Sequence, residues 1–176
     1  MTRPALFLIC AVLLLTACGK GEQVALPAPH EPTSRAIGYY CNMVVTEHVG
    51  PKGQIFLKGK ADPVWFSSVR DTFTYLDEEI GNEDELAAVW VNDMATGSWE
   101  HPAPGSWVEA RKAWYVVGSG MAAAMGGAEA VPFTDRAKAE AFASAHGGHI
   151  DDFPTARNEL AATSPSGNGN EVSDAP

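Results

Sequence analysis

The feature that most constrains this chain is an apolar run too short for the role it first suggests. Ala5–Ala17 is apolar at every position but Thr16 and follows a single positive charge at Arg3. A helix that spans a bilayer needs about 20 such residues. These thirteen have the proportions of a secretory leader, so the part that folds begins after them. The full length of 176 residues fits one ordinary domain, or two small units sharing a core. Hydrophobic residues at 45% are too many for a disordered chain, while Gly 17 and Pro 12 predict a loop-rich fold. A net charge of -10 excludes nucleic acid, whose phosphates need clustered Lys and Arg, and an electrostatic hold on anionic lipid.

The three cysteines divide by position. Cys10 lies inside the leader. Leu15-Thr16-Ala17-Cys18-Gly19 resembles a bacterial lipobox, which implies removal of residues 1–17 and acylation of Cys18 on its amino group and sulfur. A plain signal peptide with an incidental Cys18 is the alternative. Gly19 rather than Asp after the acylated residue favours the outer membrane. Cys41 is then the one free thiol in an oxidising compartment, where an unpaired cysteine is reactive, metal-binding or buried.

Residues 18–35 read as a lipidated start and flexible tether, and 162–176 as a disordered tail, both poor in apolar periodicity. Between them, 36–161 reads as one α+β domain of two tandem ββαβ-like units, about 36–97 and 98–161. In the first, Gly38–Glu47 and Gln54–Lys58 are expected to form a hairpin across Gly50–Gly53. Asp62-Pro63 is expected to open a helix, with Trp65, Val69, Phe73, Leu76 and Ile80 on one face and Gly81 at its end. Leu86–Val91 is the following strand. In the second, Ala113–Val117 and Val131–Phe133 read as strands around the small-residue loop Gly118–Gly127. Thr134 caps a helix through Ala145, with Ala141, Phe142 and Ala145 on one side, and His149–Phe153 is the last strand.

The chemistry centres on Tyr39-Tyr40-Cys41-Asn42-Met43. If the segment is a strand, Cys41 and Met43 share a face and their sulfurs can converge on one ion. Thiolate with thioether is a soft pair that suits Cu(I) and not Mg, Ca or Mn. The alternative is two buried core residues. Met121 and Met125, set among glycines, are further sulfur donors that would face together on a helical turn, or belong to a loop with no role. His48 is a possible fourth ligand or a surface histidine. His146 and His149 fit no zinc spacing and read as a helix C-terminal residue and a strand residue. The carboxylates at Asp77–Glu79 and Glu83–Glu85 read as a solvated face. No phosphate loop, nucleophile elbow or zinc-protease helix is present. Blue copper needs a late Cys between His residues, and here the Cys comes first.

The lipobox, Cys41-Asn42-Met43, the Trp65-Phe66 segment, Tyr115-Val116-Val117, Met125-Gly126, Pro132-Phe133 and His146-Gly147-Gly148, in that order, resemble the NosL family of lipoprotein accessory factors. The resemblance covers about 38–153. It implies tandem ββαβ-like units and no enzymatic activity. It further implies one Cu(I) per chain, passed in the periplasm toward the copper-sulfide site of nitrous oxide reductase beside an ABC-type membrane complex. Carried over by residue, it makes Cys41 the thiolate ligand, Met43 a thioether ligand and Met125 the distal thioether, preferred over Met121 for its Met-Gly pair. A thiol-dependent enzyme using Cys41 as nucleophile and a structural lipoprotein stand as the alternative readings.

Overall fold

Two antiparallel sheets of the same connectivity organise the chain in the computed structural model, which describes residues 25–163. The leader, Cys18 and the end of the expected tail lie outside the described residues. In the first sheet, β1 (Gly53–Leu57) is central and pairs with β2 (Val64–Phe66) on one side and β3 (Leu86–Asn92) on the other. In the second, β5 (Trp114–Val117) is central between β6 (Val131–Phe133) and β7 (His149–Asp151). A helix enters before the third strand each time, α1 (Val69–Glu78) and α2 (Arg136–His146). The ββαβ repeat expected from the sequence is therefore present, in an α+β fold.

Several boundaries differ, each for a physical reason. Residues 38–47 are not a strand, and no hairpin crosses Gly50–Gly53; β1 takes its hairpin partner from the residues after it. Asp62-Pro63 does not open a helix. Trp65 is drawn into β2, where it pairs with Gln54, and the helix starts only at Val69. Ser68 is its cap, accepting from the Asp71 backbone N–H at 3.0 Å. Asp135, not Thr134, caps α2. Its inward positions are Ala139, Phe142 and Ala143, with Ala141 and Ala145 outside. The last strand stops at Asp151 because Phe153 begins α3 (Phe153–Thr163), which was expected neither as a helix nor past residue 161. β4 (Trp107–Glu109) pairs with β3, so the first sheet reaches beyond the expected division at residue 97. The tether is also shorter than expected. From Pro27 the chain lies on the first sheet, with Pro27 O accepting from Trp90 Nε1 and the His30 main chain bonded both ways to the Gln54 amide.

The main core lies where α1 and α3 pack on each other and on β1 and β5. β5 alternates as a strand buried on both faces must. Tyr115 and Val117 enter the main core against Phe73 and Phe153, while Val116 faces α2 with Val131 and Phe133. Tyr115 satisfies its hydroxyl by donating to Ala110 O at 2.7 Å. Both units thus share α1, which carries the two segments of interest.

Candidate metal site

Cys41 stands on a tight turn rather than a strand. Ile37 and Val44 form a single antiparallel bridge that closes it. Gly38 N–H donates to Met43 O and Asn42 N–H donates to Gly38 O, both at 2.9 Å. Asn42 has a φ of 54°, the left-handed conformation that Asn tolerates better than most side chains. That one residue breaks the extended backbone, so the expected alternation of Cys41 and Met43 along a strand does not apply. The two residues stay together by the fold of the turn itself, with Cys41 Sγ 3.9 Å from Met43 O.

The turn is fastened to its surroundings on one side. Tyr39 N–H donates to Trp65 O on β2 at 2.8 Å. The Tyr39 ring meets Tyr75 of α1 edge-on at 4.9 Å and Tyr40 at 5.0 Å, and both tyrosines lie 6.3 Å from Phe66. Gly38 is required for space: a Cβ there would stand 2.6 Å from Cys41 Sγ. Cys41 is half-buried, and Met43 is 40% exposed.

Met125 is on the other segment. The loop folds back through an Ala122–Ala128 bridge and a turn in which Gly126 N–H donates to Ala123 O at 2.8 Å. This is no helical turn, so Met121 and Met125 do not share a helical face. Met121 is half-buried against the cluster of Val116, Val131 and Phe133, whereas Met125 is 57% exposed. The base of the loop is tied to α1. Glu129 is buried, and its Oε1 accepts from Arg70 N–H at 2.9 Å and from Ala130 N–H at 3.0 Å. Its Oε2 is buried without a hydrogen-bond partner. Burial raises the Glu129 carboxyl to about 8, against the lowering effect of those two amides. Lys52, also buried, is lowered to about 8 by its own desolvation and donates to Val49 O and Gly50 O.

His48 is half-buried and lines a cavity of about 210 Å³ with Lys52, Asn92, His101 and Trp107, a cavity that neither Cys41 nor Met43 lines. Its Nε2 is buried without a partner. His146 ends α2 with its ring 4.3 Å from Phe142. His149 on β7 is paired, Nε2 lying 2.8 Å from Glu159 Oε2 and 3.2 Å from Asp151 Oδ2. These carboxylates, the hydrogen bond to Glu159 first, raise its pKa.

The geometry offers a fixed thiol with one exposed thioether beside it, and a second exposed thioether on a loop hung from the same helix. The sequence profile of the NosL family matches residues 29–160. The chain belongs to the NosL family. It is 41% identical to the copper-binding lipoprotein NosL of Achromobacter cycloclastes over 153 residues, 85% of this chain and 78% of that one. It is 33% identical to the copper-binding lipoprotein NosL of Stutzerimonas stutzeri over 148 residues, 81% and 75% of the two chains. Among solved structures, the copper chaperone NosL from Shewanella denitrificans superposes with a TM-score of 0.67 at 32% identity. That match covers 72% of this chain and 93% of the other. The NosL relationship accounts for the tandem ββαβ arrangement. Reading the residues one by one missed Gly38, Asn42 and Glu129. An Asn directly after the Cys was the available signal for a left-handed turn; nothing local marks Glu129, whose partner is 59 residues away.

Proposed function

We propose that this protein is a lipid-anchored carrier on the periplasmic face, in the outer membrane, that binds one Cu(I). It delivers the ion for assembly of the copper-sulfide site of nitrous oxide reductase, alongside an ABC-type maturation complex. It is not an enzyme. Attachment is assigned to acylation of Cys18 in the lipobox-like Leu15-Thr16-Ala17-Cys18-Gly19, in keeping with relatives named lipoproteins. The observation that carries the reading is the soft-donor pair, half-buried Cys41 and exposed Met43 presented together on one turn, in a chain whose relatives are named copper-binding lipoproteins.

The donor chemistry fits the cargo. A thiolate and thioethers hold Cu(I) well and hard cations poorly. Cys41 supplies charge, Met43 a neutral sulfur beside it, and Met125 the distal thioether; its exposure favours it over the packed Met121. His48, directed into its own cavity, is left out of the set. Delivery is a ligand exchange with no change of oxidation state: an acceptor sulfur binds copper as a thioether leaves, and Cys41 departs last. A thiol enzyme would need a substrate cleft around its sulfur. The cavities lined by His48 and Lys52, by His30 and Arg35, and by Arg111 and Arg157 are all built without Cys41. The test is an anaerobic Cu(I) competition titration of the mature protein against a chromophoric chelator. One equivalent should bind tightly; failure to compete for copper would refute the proposal.

A further inference from the structure

A soluble surface normally scatters its large apolar side chains, and this one concentrates them. Seven are exposed among the described residues, and four of these, Ile37, Tyr39, Tyr40 and Met43, belong to the turn around Cys41. The patch is contiguous, since Ile37 bridges Val44 beside Met43 and the two tyrosine rings touch at 5.0 Å. The rings rest on the outer edges of Phe66 and Tyr75, both buried, so the remaining faces point to solvent. Tyr and Met are also the types enriched at protein interfaces.

A second anomaly borders the patch. α1 ends in Asp77 and Glu78 and is followed by Glu79 at its C-cap, with no basic residue in its last turn, although a helix C-terminus repels negative charge. Arg157 offsets Asp77 at 2.6 Å and caps Leu76 O at 2.8 Å. Glu78 and Glu79 make no ion pair among the described residues. They follow Tyr75 by three and four positions, so they stand one turn on, on the side where Tyr75 meets Tyr39. Carboxylates that cost helix stability and gain no partner within the chain point to a role outside it.

Building on the carrier reading, we infer that the Cys41 face, an apolar centre with the Glu78–Glu79 rim, docks the protein that exchanges copper with it, through a complementary apolar face rimmed by Lys or Arg. An acceptor sulfur must reach Cys41, so the contact has to include this face. The rim selects the occupant. A second copy docked face to face would set carboxylates against carboxylates, and an anionic lipid surface would be repelled. A basic rim is attracted, and steers the encounter at low salt.

The test uses the full lipidated protein in the cells that produce it, with a photoreactive benzoylphenylalanine placed in turn at Tyr40 and Ile37, and at Lys138 on α2 as control. The inference expects an adduct to one protein from the first two positions and none from the third, the crosslinked peptide being apolar and flanked by Lys or Arg. The adduct should fall about tenfold with Glu78→Lys/Glu79→Lys, and likewise in spheroplasts when ionic strength rises from about 0.05 to about 0.5 M. Adducts to lipid or to a second copy overturn it, as do no adduct or an adduct indifferent to charge and salt. Cu(I) titration of the same charge-reversed variant should match the parent. Loss of copper binding by the parent would sink the carrier reading, whereas normal binding with charge-indifferent crosslinking would sink the docking inference alone.

Discussion

The Cys41 turn and the Met125 loop hang from the same helix in opposite ways. The turn is determined along its whole length: backbone bonds close it, Tyr39 is bonded to β2, and rings from β2 and α1 brace it. The loop is closed by its own backbone bonds and tied to α1 at its base, where Glu129 accepts the Arg70 N–H, while its tip extends Met125 into solvent between Ala124 and two glycines of positive φ. A carrier that must both hold and surrender an ion benefits from this inequality. The strong donor stays where the fold puts it, and the weakest donor sits on the part least constrained by packing. On the carrier reading proposed above, copper would be lost one ligand at a time, starting from the loop.

The comparison breaks most directly at the thiol. Cys41→Ser replaces a soft thiolate by a hard hydroxyl of nearly the same size. It should weaken Cu(I) binding by roughly a thousandfold or more, on the order of 4 kcal/mol, without moving the thermal midpoint, since a half-buried sulfur carries little of the core. An affinity within tenfold of the parent in the anaerobic titration would mean that the turn is not the strong end of the site.

The anchor of the loop makes the next largest prediction, on stability and pH. Glu129 faces Lys52 from the segment before β1, and Arg70 and Asp71 from α1. Its folded pKa of about 8 lies above the ordinary 4.5. Between those values the unfolded chain releases the proton while the folded chain keeps it, so stability falls as pH rises through that window and levels off above it. From pH 4.5 to 7 the loss is roughly 3 kcal/mol. Glu129→Gln keeps an acceptor for Arg70 N–H and removes the titration. Urea midpoints should therefore flatten across that range, leaving the smaller contribution of Asp71, whose pKa burial also raises. Lys52 titrates only from about 8 upward and does not enter the window. An unchanged pH slope would show that this carboxyl does not titrate within the window.

The two loop methionines sharpen the contrast at about 1 kcal/mol. Met125→Ala should cost about tenfold in Cu(I) affinity and leave the melting temperature unchanged. Met121→Ala should do the reverse, lowering stability by about 1 kcal/mol through lost packing against Val116 and Phe133, with affinity retained. Calorimetry and titration of both variants decide it; swapped outcomes would reassign the distal ligand.

What the sequence revealed follows from how local each signal is. The repeat was legible because its central strands and the faces Val69–Phe73–Leu76 and Val131–Phe133 are set by short-range pattern. The candidate site residues stood out as chemistry, because the Cys41 thiol lies two positions from the Met43 thioether. Their presentation did not. The strand expected at 38–47 fails on one left-handed Asn42, and the helix expected at Asp62 fails because Trp65 finds a partner in Gln54, a pairing that outweighs helix periodicity. α3 has a start signal in Asp152, which accepts the Thr155 N–H at 3.1 Å, and in Pro154 of its first turn, but the strand expected over His149–Phe153 takes in its first residue, whereas β7 stops at Asp151. The Glu129 anchor and the carboxylate rim beside Tyr40 depend on contacts between residues far apart in the chain.

The smallest expected effect lies far from either sulfur and tests whether the pH slope belongs to Glu129. His149 is exposed, yet the hydrogen bond its ring donates to Glu159 and the charges of Glu159 and Asp151 raise its pKa above the ordinary 6.5. The protonated ring is favoured in the folded state, so its contribution is complete below pH 6.5 and disappears as pH rises through the raised value. It therefore acts in the same direction as Glu129, but over the upper part of the window alone, and solvent screens it. His149→Gln should leave the slope between pH 4.5 and 6 untouched and trim only the portion above. Glu129→Gln should remove the lower portion as well. If the histidine variant flattened the whole range instead, the pH dependence would reside at the surface pair, and the buried carboxyl would hold the Met125 loop without titrating.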